Sequence, residues 1–192
     1  MIQAYAKEIC EFLMKIPEVK SCSIYGSLDK GTFDEYSDID IEIDVSGTDN
    51  GLFIKKLPEL IAKEYDLIFC DYAPSLAPEK YILSAAMNTE NPFWVVDITC
   101  AANPHCTAVS KQELVELNNR YDHTLKLFVA NLKHYLRGAD CYDDIKKMYR
   151  RVRGQDTEIC DEEQMLNAVF SWLEKNAENR HEKYISLLAE YI

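Results

Sequence analysis

Four acids share one short run, Asp38-Ile39-Asp40-Ile41-Glu42-Ile43-Asp44, which Val45 closes. In a strand, successive side chains point to opposite faces, so the three isoleucines and Val45 take one face and the carboxylates take the other. Carboxylates along one face repel each other and sit on residues with poor strand propensity, a conflict that a divalent cation relieves. Asp38 and Asp40 are neighbours on the pleat. That places them to hold Mg²⁺, a hard ion that takes carboxylate oxygen and keeps positions for substrate phosphates.

A metal-bound triphosphate also needs a close backbone approach, and the chain offers one just upstream. Val19 to Tyr25 reads as a short strand that runs into Gly26-Ser27. There a glycine lets the backbone come near a ligand, and a serine brings a hydroxyl and an N–H to phosphate oxygens. Lys30 lies in the following loop as a point charge for a β- or γ-phosphate or as a solvated lysine, and Gly31 is a second permissive position.

The pattern apolar-Gly-Ser, ten residues, Asp-apolar-Asp-apolar resembles the signature of the DNA polymerase β-like nucleotidyltransferase superfamily. The fuller wording Gly-Ser-Leu-Asp-Lys-Gly with Glu-Tyr-Ser-Asp-Ile-Asp, within residues 26 to 40, is most similar to small bacterial members that nucleotidylate aminoglycosides and lincosamides. The resemblance implies a catalytic set completed by a third carboxylate on a neighbouring strand. Asp97 matches that position by strand context, the one acid in the apolar run Phe93-Trp94-Val95-Val96-Asp97-Ile98-Thr99. A bare carboxylate there is costly without a partner, which metal, a substrate hydroxyl or a salt bridge at the strand end would supply.

The expected reaction is transfer of a nucleoside monophosphate from an NTP, with ATP the favoured donor, to a hydroxyl of a small acceptor, with release of pyrophosphate. Asp38, Asp40 and Asp97 would hold two Mg²⁺ ions, and Gly26, Ser27 and Lys30 would contact the triphosphate. Two other classes stay open: a nucleotidyltransferase that adenylylates a protein, as antitoxins of this superfamily do, and a non-catalytic nucleotide-binding regulatory module. Related small enzymes often complete such sites with a second subunit, so a homodimer is also expected.

The elements that must position these residues form two halves. Apolar stripes predict helices over residues 2–16 and 51–65, the second containing Pro58. Strands are expected at 66–72, 80–87 and 93–99, the last two joined as a hairpin across Asn88-Thr89-Glu90-Asn91-Pro92. Ser110 and Glu113 form a capping-box pattern, after which one apolar face predicts a single long helix to Gly138. Further helices fit 142–152, 161–175 and 179–191. The expected fold is therefore an α/β (α+β) nucleotidyltransferase domain with a mixed sheet, residues 1–105, followed by a C-terminal helical bundle, residues 106–192.

The 192 residues carry a net charge of −12, with 8 basic against 18 acidic residues in 1–109 and 13 against 15 in 110–192. Proteins that grip polynucleotides need a basic footprint, so the composition argues against a polymeric nucleic acid and for a small cationic acceptor. The basic run Lys146 to Arg153 reads as a solvated helix face rather than a triphosphate or RNA contact. Glu42 and Asp44 either contact a cationic substrate or end the strand in solvent. The seven cysteines show no paired spacing and read as reduced thiols, and Cys100, His105 and Cys106 lack a fourth zinc ligand. No apolar run approaches a membrane span and no signal segment is evident, so a cytoplasmic protein that contacts no membrane is expected.

Overall fold

The computed structural model describes residues 1–73, 75, 77–105, 108–155 and 160–192. Two compact units divide the chain, one comprising Met1–Thr89 with Phe93–Asn119, the other Glu90–Pro92 with Arg120–Ile192.

The first unit is built on five strands: β1 (Ser21–Tyr25), β2 (Ile39–Asp44), β3 (Leu67–Ala73), β4 (Lys80–Met87) and β5 (Val96–Ala101). Their order in the sheet is β1-β2-β5-β4-β3. Strands β2 and β5 run parallel and the other pairs antiparallel, so the sheet is mixed.

Periodicity decides which face is buried. Ile39, Ile41, Ile43 and Val45 are fully buried and alternate with half-buried acids. Beneath them pack Ile2, Ala6, Ile9 and Leu13 of α1 (Ile2–Leu13) and Phe53, Ile54 and Leu57 of α3 (Asn50–Ile61). Each buried isoleucine stabilises the register by about 2 kcal/mol. A one-residue slip of β2 would bury its carboxylates instead, which is why this alternation specifies the pairing so strongly.

Local chemistry sets the ends of these elements. Asp49 caps α3, its Oδ1 accepting from the Leu52 N–H at 2.8 Å. Helix α4 (Lys111–Val115) begins with the expected capping box, in which the Ser110 hydroxyl and the Glu113 carboxylate each accept from the other's backbone N–H. The long helix expected over 110–138 is broken, however: α4 stops near Glu116 and α5 (Arg120–Leu136) starts afresh. The break lets Asn118 reach the edge strand β3, where its side chain accepts from Tyr72 N–H at 2.7 Å and donates to Tyr72 C=O at 2.8 Å. Residues up to Asn119 therefore lie with the sheet unit rather than with the helices that follow. Strand β5 starts at Val96, three residues later than expected, and pairs antiparallel with β4.

The second unit is helical: α5, α6 (Tyr142–Arg153), α7 (Glu162–Asn176) and α8 (Glu182–Leu188), with one-turn helices at Asn179–His181 and Ala189–Tyr191. Leu125, Phe128, Leu132, Ile145, Met148, Met165, Val169 and Leu173 form its buried interior. Among the described residues no helix is long and apolar enough to cross a membrane. The fold is thus an α/β domain with a mixed sheet followed by C-terminal helices.

Candidate active site

The sheet face opposite α1 and α3 carries the acids. One register row crosses all five strands: Tyr25 on β1 pairs with Asp40 on β2, Asp40 with Asp97 on β5, Asp97 with Ser84 on β4, and Ser84 with Asp71 on β3. Asp40 and Asp97 therefore sit side by side on adjacent parallel strands, their backbones about 4.8 Å apart. Both are half-buried. Asp38 lies one residue before β2, and the alternation of half-buried acid with buried neighbour continues through it.

Gly26 faces Asp40. Its φ is +72°, a conformation that L side chains rarely adopt, and a Cβ built on it would fall 2.0 Å from Asp40 Oδ2. Only a residue without a side chain lets the backbone come this near the carboxylate. The segment expected as a loop is in fact a short helix, α2 (Gly26–Lys30), closed by Gly31 in the left-handed conformation. Ser27 is half-buried beside Gly26, whereas Lys30 is exposed at the far end of α2.

Polar groups surround the carboxylates. The Ser84 hydroxyl, only 1% exposed, donates to Asp97 Oδ1. Tyr25 leans across β2, and its hydroxyl lies 3.0 Å from Thr99 Oγ1. Burial holds the Tyr25 phenol above its usual value, and the charges of Asp40, Asp97 and Glu42 add to that rise against the Thr99 bond. It stays protonated at neutral pH and can donate.

The neighbouring acids are already engaged. Glu42 is ion-paired to Lys80, which raises the ammonium above its ordinary range. Asp44 caps its own turn, accepting from Ser46 Oγ at 2.5 Å and Ser46 N–H at 2.8 Å, and these bonds lower its carboxyl. Of the nearby tyrosines, Tyr72 donates to the α3 backbone and Tyr36 packs edge-on against Phe93, whereas Tyr25 lies in the register row with Asp40. Cys100 is a core thiol that burial pushes up to about 12, His105 is exposed, and Cys106 lies outside the described residues. In the helical unit, the basic run lies on α6, where Lys147 pairs with Asp144 at 2.9 Å and Arg151 contacts His123.

Among the described residues no three His, Cys, Asp or Glu side chains form a group that could hold a metal ion. The row instead offers two adjoining carboxylates. That suits Mg²⁺, which is commonly bound through one or two carboxylates with substrate phosphates completing its shell.

Residues 5–90 match the family described as "Nucleotidyltransferase domain". They are a nucleotidyltransferase domain. The match includes Gly26, Ser27, Asp38 and Asp40 and ends before Asp97, whose place beside Asp40 is set by strand pairing. No curated protein sequence matches the chain. Among solved structures, similarity is found to the Cid1 poly(U) polymerase, at 17% identity over 78% of this chain and 40% of that one, with a TM-score of 0.36. The GLD-2/RNP-8 complex gives 11% identity, 89% and 77% coverage and a TM-score of 0.40. The polymerase core of the TRAMP RNA surveillance complex gives 10%, 99% and 56%, and 0.41. This chain spans about two fifths of the poly(U) polymerase chain it matches. The family that the Gly-Ser and Asp-x-Asp spacing resembles is thus the family of the domain; these matches do not extend to its antibiotic-modifying branch.

Two residues of this register row were not singled out by sequence reasoning: Ser84 and Asp71. Ser84 is the lone hydroxyl between Leu83 and Ala85-Ala86, and Asp71 is an acid with 1% exposure next to buried Tyr72. Such buried polar residues in apolar strands are the signal, but their partner becomes visible only with the strand order.

Proposed function

We propose that this protein transfers a nucleoside monophosphate from an NTP to a hydroxyl acceptor and releases pyrophosphate. One observation carries the reading: Asp40 and Asp97 are register neighbours, and the Gly26 backbone comes so near Asp40 that no Cβ fits. Asp40 and Asp97 would hold Mg²⁺ with substrate phosphates completing its shell, Asp38 would add a carboxylate from just before β2 once the nucleotide is bound, and Gly26 with Ser27 would orient the triphosphate. Bound Mg²⁺ supplies charge neutralisation on the phosphates and a lowered pKa for the attacking hydroxyl. The chain itself positions the donor in line with the acceptor and presents carboxylate oxygen for the hydroxyl proton, while Tyr25 offers a donor beside the reacting groups.

For the acceptor, the net charge of −12 and the acidic sheet unit favour a small cationic hydroxyl compound over a polyanion. Aminoglycosides and lincosamides are two classes of that kind.

The test is Mg²⁺-dependent binding of a non-hydrolysable ATP analogue to wild type, Asp40→Asn and Asp97→Asn, followed by pyrophosphate release across an acceptor panel. Each variant is expected to bind at least about 10-fold more weakly. Equal binding by all three would remove the metal role. Turnover with an RNA 3′-hydroxyl, or labelling of a protein and of no small molecule, would overturn the acceptor assignment.

A further inference from the structure

Strand β4 is apolar from Tyr81 to Met87 except at Ser84. A buried hydroxyl in such a strand costs stability unless it is hydrogen-bonded. Here the one proton of Ser84 goes to Asp97 Oδ1. Asp97 is thus bracketed along the row, Asp40 on one side and Ser84 on the other. With Oδ1 tethered to Ser84, the carboxylate is held at a fixed rotation about its χ angles. A carboxylate so held meets a cation without first losing rotamer freedom, and it does not swing toward Asp40, which would repel it.

We propose that Ser84 is a positioning residue of the nucleotidyltransferase site, setting the orientation in which Asp97 receives a divalent cation and its nucleotide. The inference rests on the reading of Asp40 and Asp97 as metal ligands. It adds a requirement on β4, a strand that contributes no ligand itself. It also accounts for a polar residue at a point where alanine would pair equally well.

Positioning and mere packing predict opposite patterns. Ser84→Ala removes the hydroxyl from a small residue and leaves the fold nearly as stable. Ser84→Thr keeps the hydroxyl but forces a methyl into a packed strand, so it costs stability. If Ser84 only filled space, threonine would be the more damaging change for every property. If it positions Asp97, alanine weakens cation binding and threonine retains it.

The full-length protein is titrated with Mn²⁺ in the presence of a non-hydrolysable ATP analogue, the bound Mn²⁺ being read by electron paramagnetic resonance. Chemical unfolding of the same samples is measured in parallel. Ser84→Ala is expected to raise the Kd for Mn²⁺ about 10-fold at near-native stability, and Ser84→Thr to bind within about 3-fold of wild type at lower stability. Native affinity in Ser84→Ala, with wild type binding normally, overturns the positioning role and leaves the metal reading intact. Failure of wild type to bind Mn²⁺ with the nucleotide overturns both. Should the alanine variant not fold, Ser84→Cys keeps the volume with a weak donor: reduced affinity supports the proposal, and native affinity overturns it.

Discussion

Two glycines with nearly the same backbone separate the cost of folding from the cost of function. Gly26 and Gly31 have φ of +72° and +68°, so alanine at either pays the left-handed penalty of about 1–2 kcal/mol. Around Gly31 nothing lies within 4 Å of an added Cβ. At Gly26 the Cβ would meet Asp40 Oδ2 at 2.0 Å, Cγ at 3.0 Å and Cβ at 3.3 Å. Rotation of the carboxylate removes the first contact, but the 3.3 Å approach to Cβ remains, so Asp40 must leave its position and the backbone must yield by a few tenths of an ångström. The two variants should therefore lose similar stability, Gly26→Ala slightly more than the backbone term because its clash relaxes through a side chain. Their sites should differ. Gly26→Ala is expected to weaken metal-dependent binding of an ATP analogue at least about 10-fold, or about 1.4 kcal/mol, whereas Gly31→Ala binds as wild type does. Isothermal titration gives the affinities and urea unfolding the stabilities. Equal affinity in the two variants would refute the idea that Gly26 exists to admit Asp40.

Three further outcomes follow from contacts away from that row. Asn118→Ala strips both outward-facing backbone groups of Tyr72 from their partners, and a loss of about 2 kcal/mol in urea unfolding is expected. His181, buried in the helical unit, has its pKa lowered chiefly by burial, with Arg180 adding to the effect against Asp122. Above about pH 6.5 the ring is neutral in both states; below it the unfolded chain takes up the proton first, so the stability of wild type relative to His181→Gln falls with pH, by no more than about 1.4 kcal/mol per pH unit. A difference that grows on acidification would contradict the burial argument. Cys10 on α1 and Cys22 on β1 have sulfurs 2.7 Å apart, and the Cys22 thiol donates to Cys10, lowering the Cys10 pKa and raising its own. Glutathione disulfide is expected to join them by thiol exchange, with loss of two hydrogen masses that Cys10→Ser abolishes.

The sequence by itself determined the chemistry that could be done. Acids at every second residue from Asp38 to Asp44 require one polar and one apolar strand face, and Gly26-Ser27 at its spacing from Asp38 marks the family. Both are local patterns, decided by the period of a strand and the steric needs of a glycine. The isoleucines that bury β2 and the stripe of α1 were legible for the same reason. What lies between strands was not written in local pattern: the resemblance alone pointed to Asp97, and nothing pointed to Ser84. Asp97 stands 57 positions after Asp40 and reaches it because β5 inserts between β2 and β4, and Ser84 reaches Asp97 for the same reason. The break at Asn118 was hidden because helical periodicity continues through it, and the hydrogen bonds that it makes to Tyr72 belong to a distant edge strand. Sequence left Glu42 and Asp44 between a substrate contact and a solvated strand end; Lys80, which is remote, and Ser46, which is adjacent, engage them. Local physics fixes which face a carboxylate takes. Strand order alone, paid for by the apolar face beneath, decides which carboxylate stands next to it.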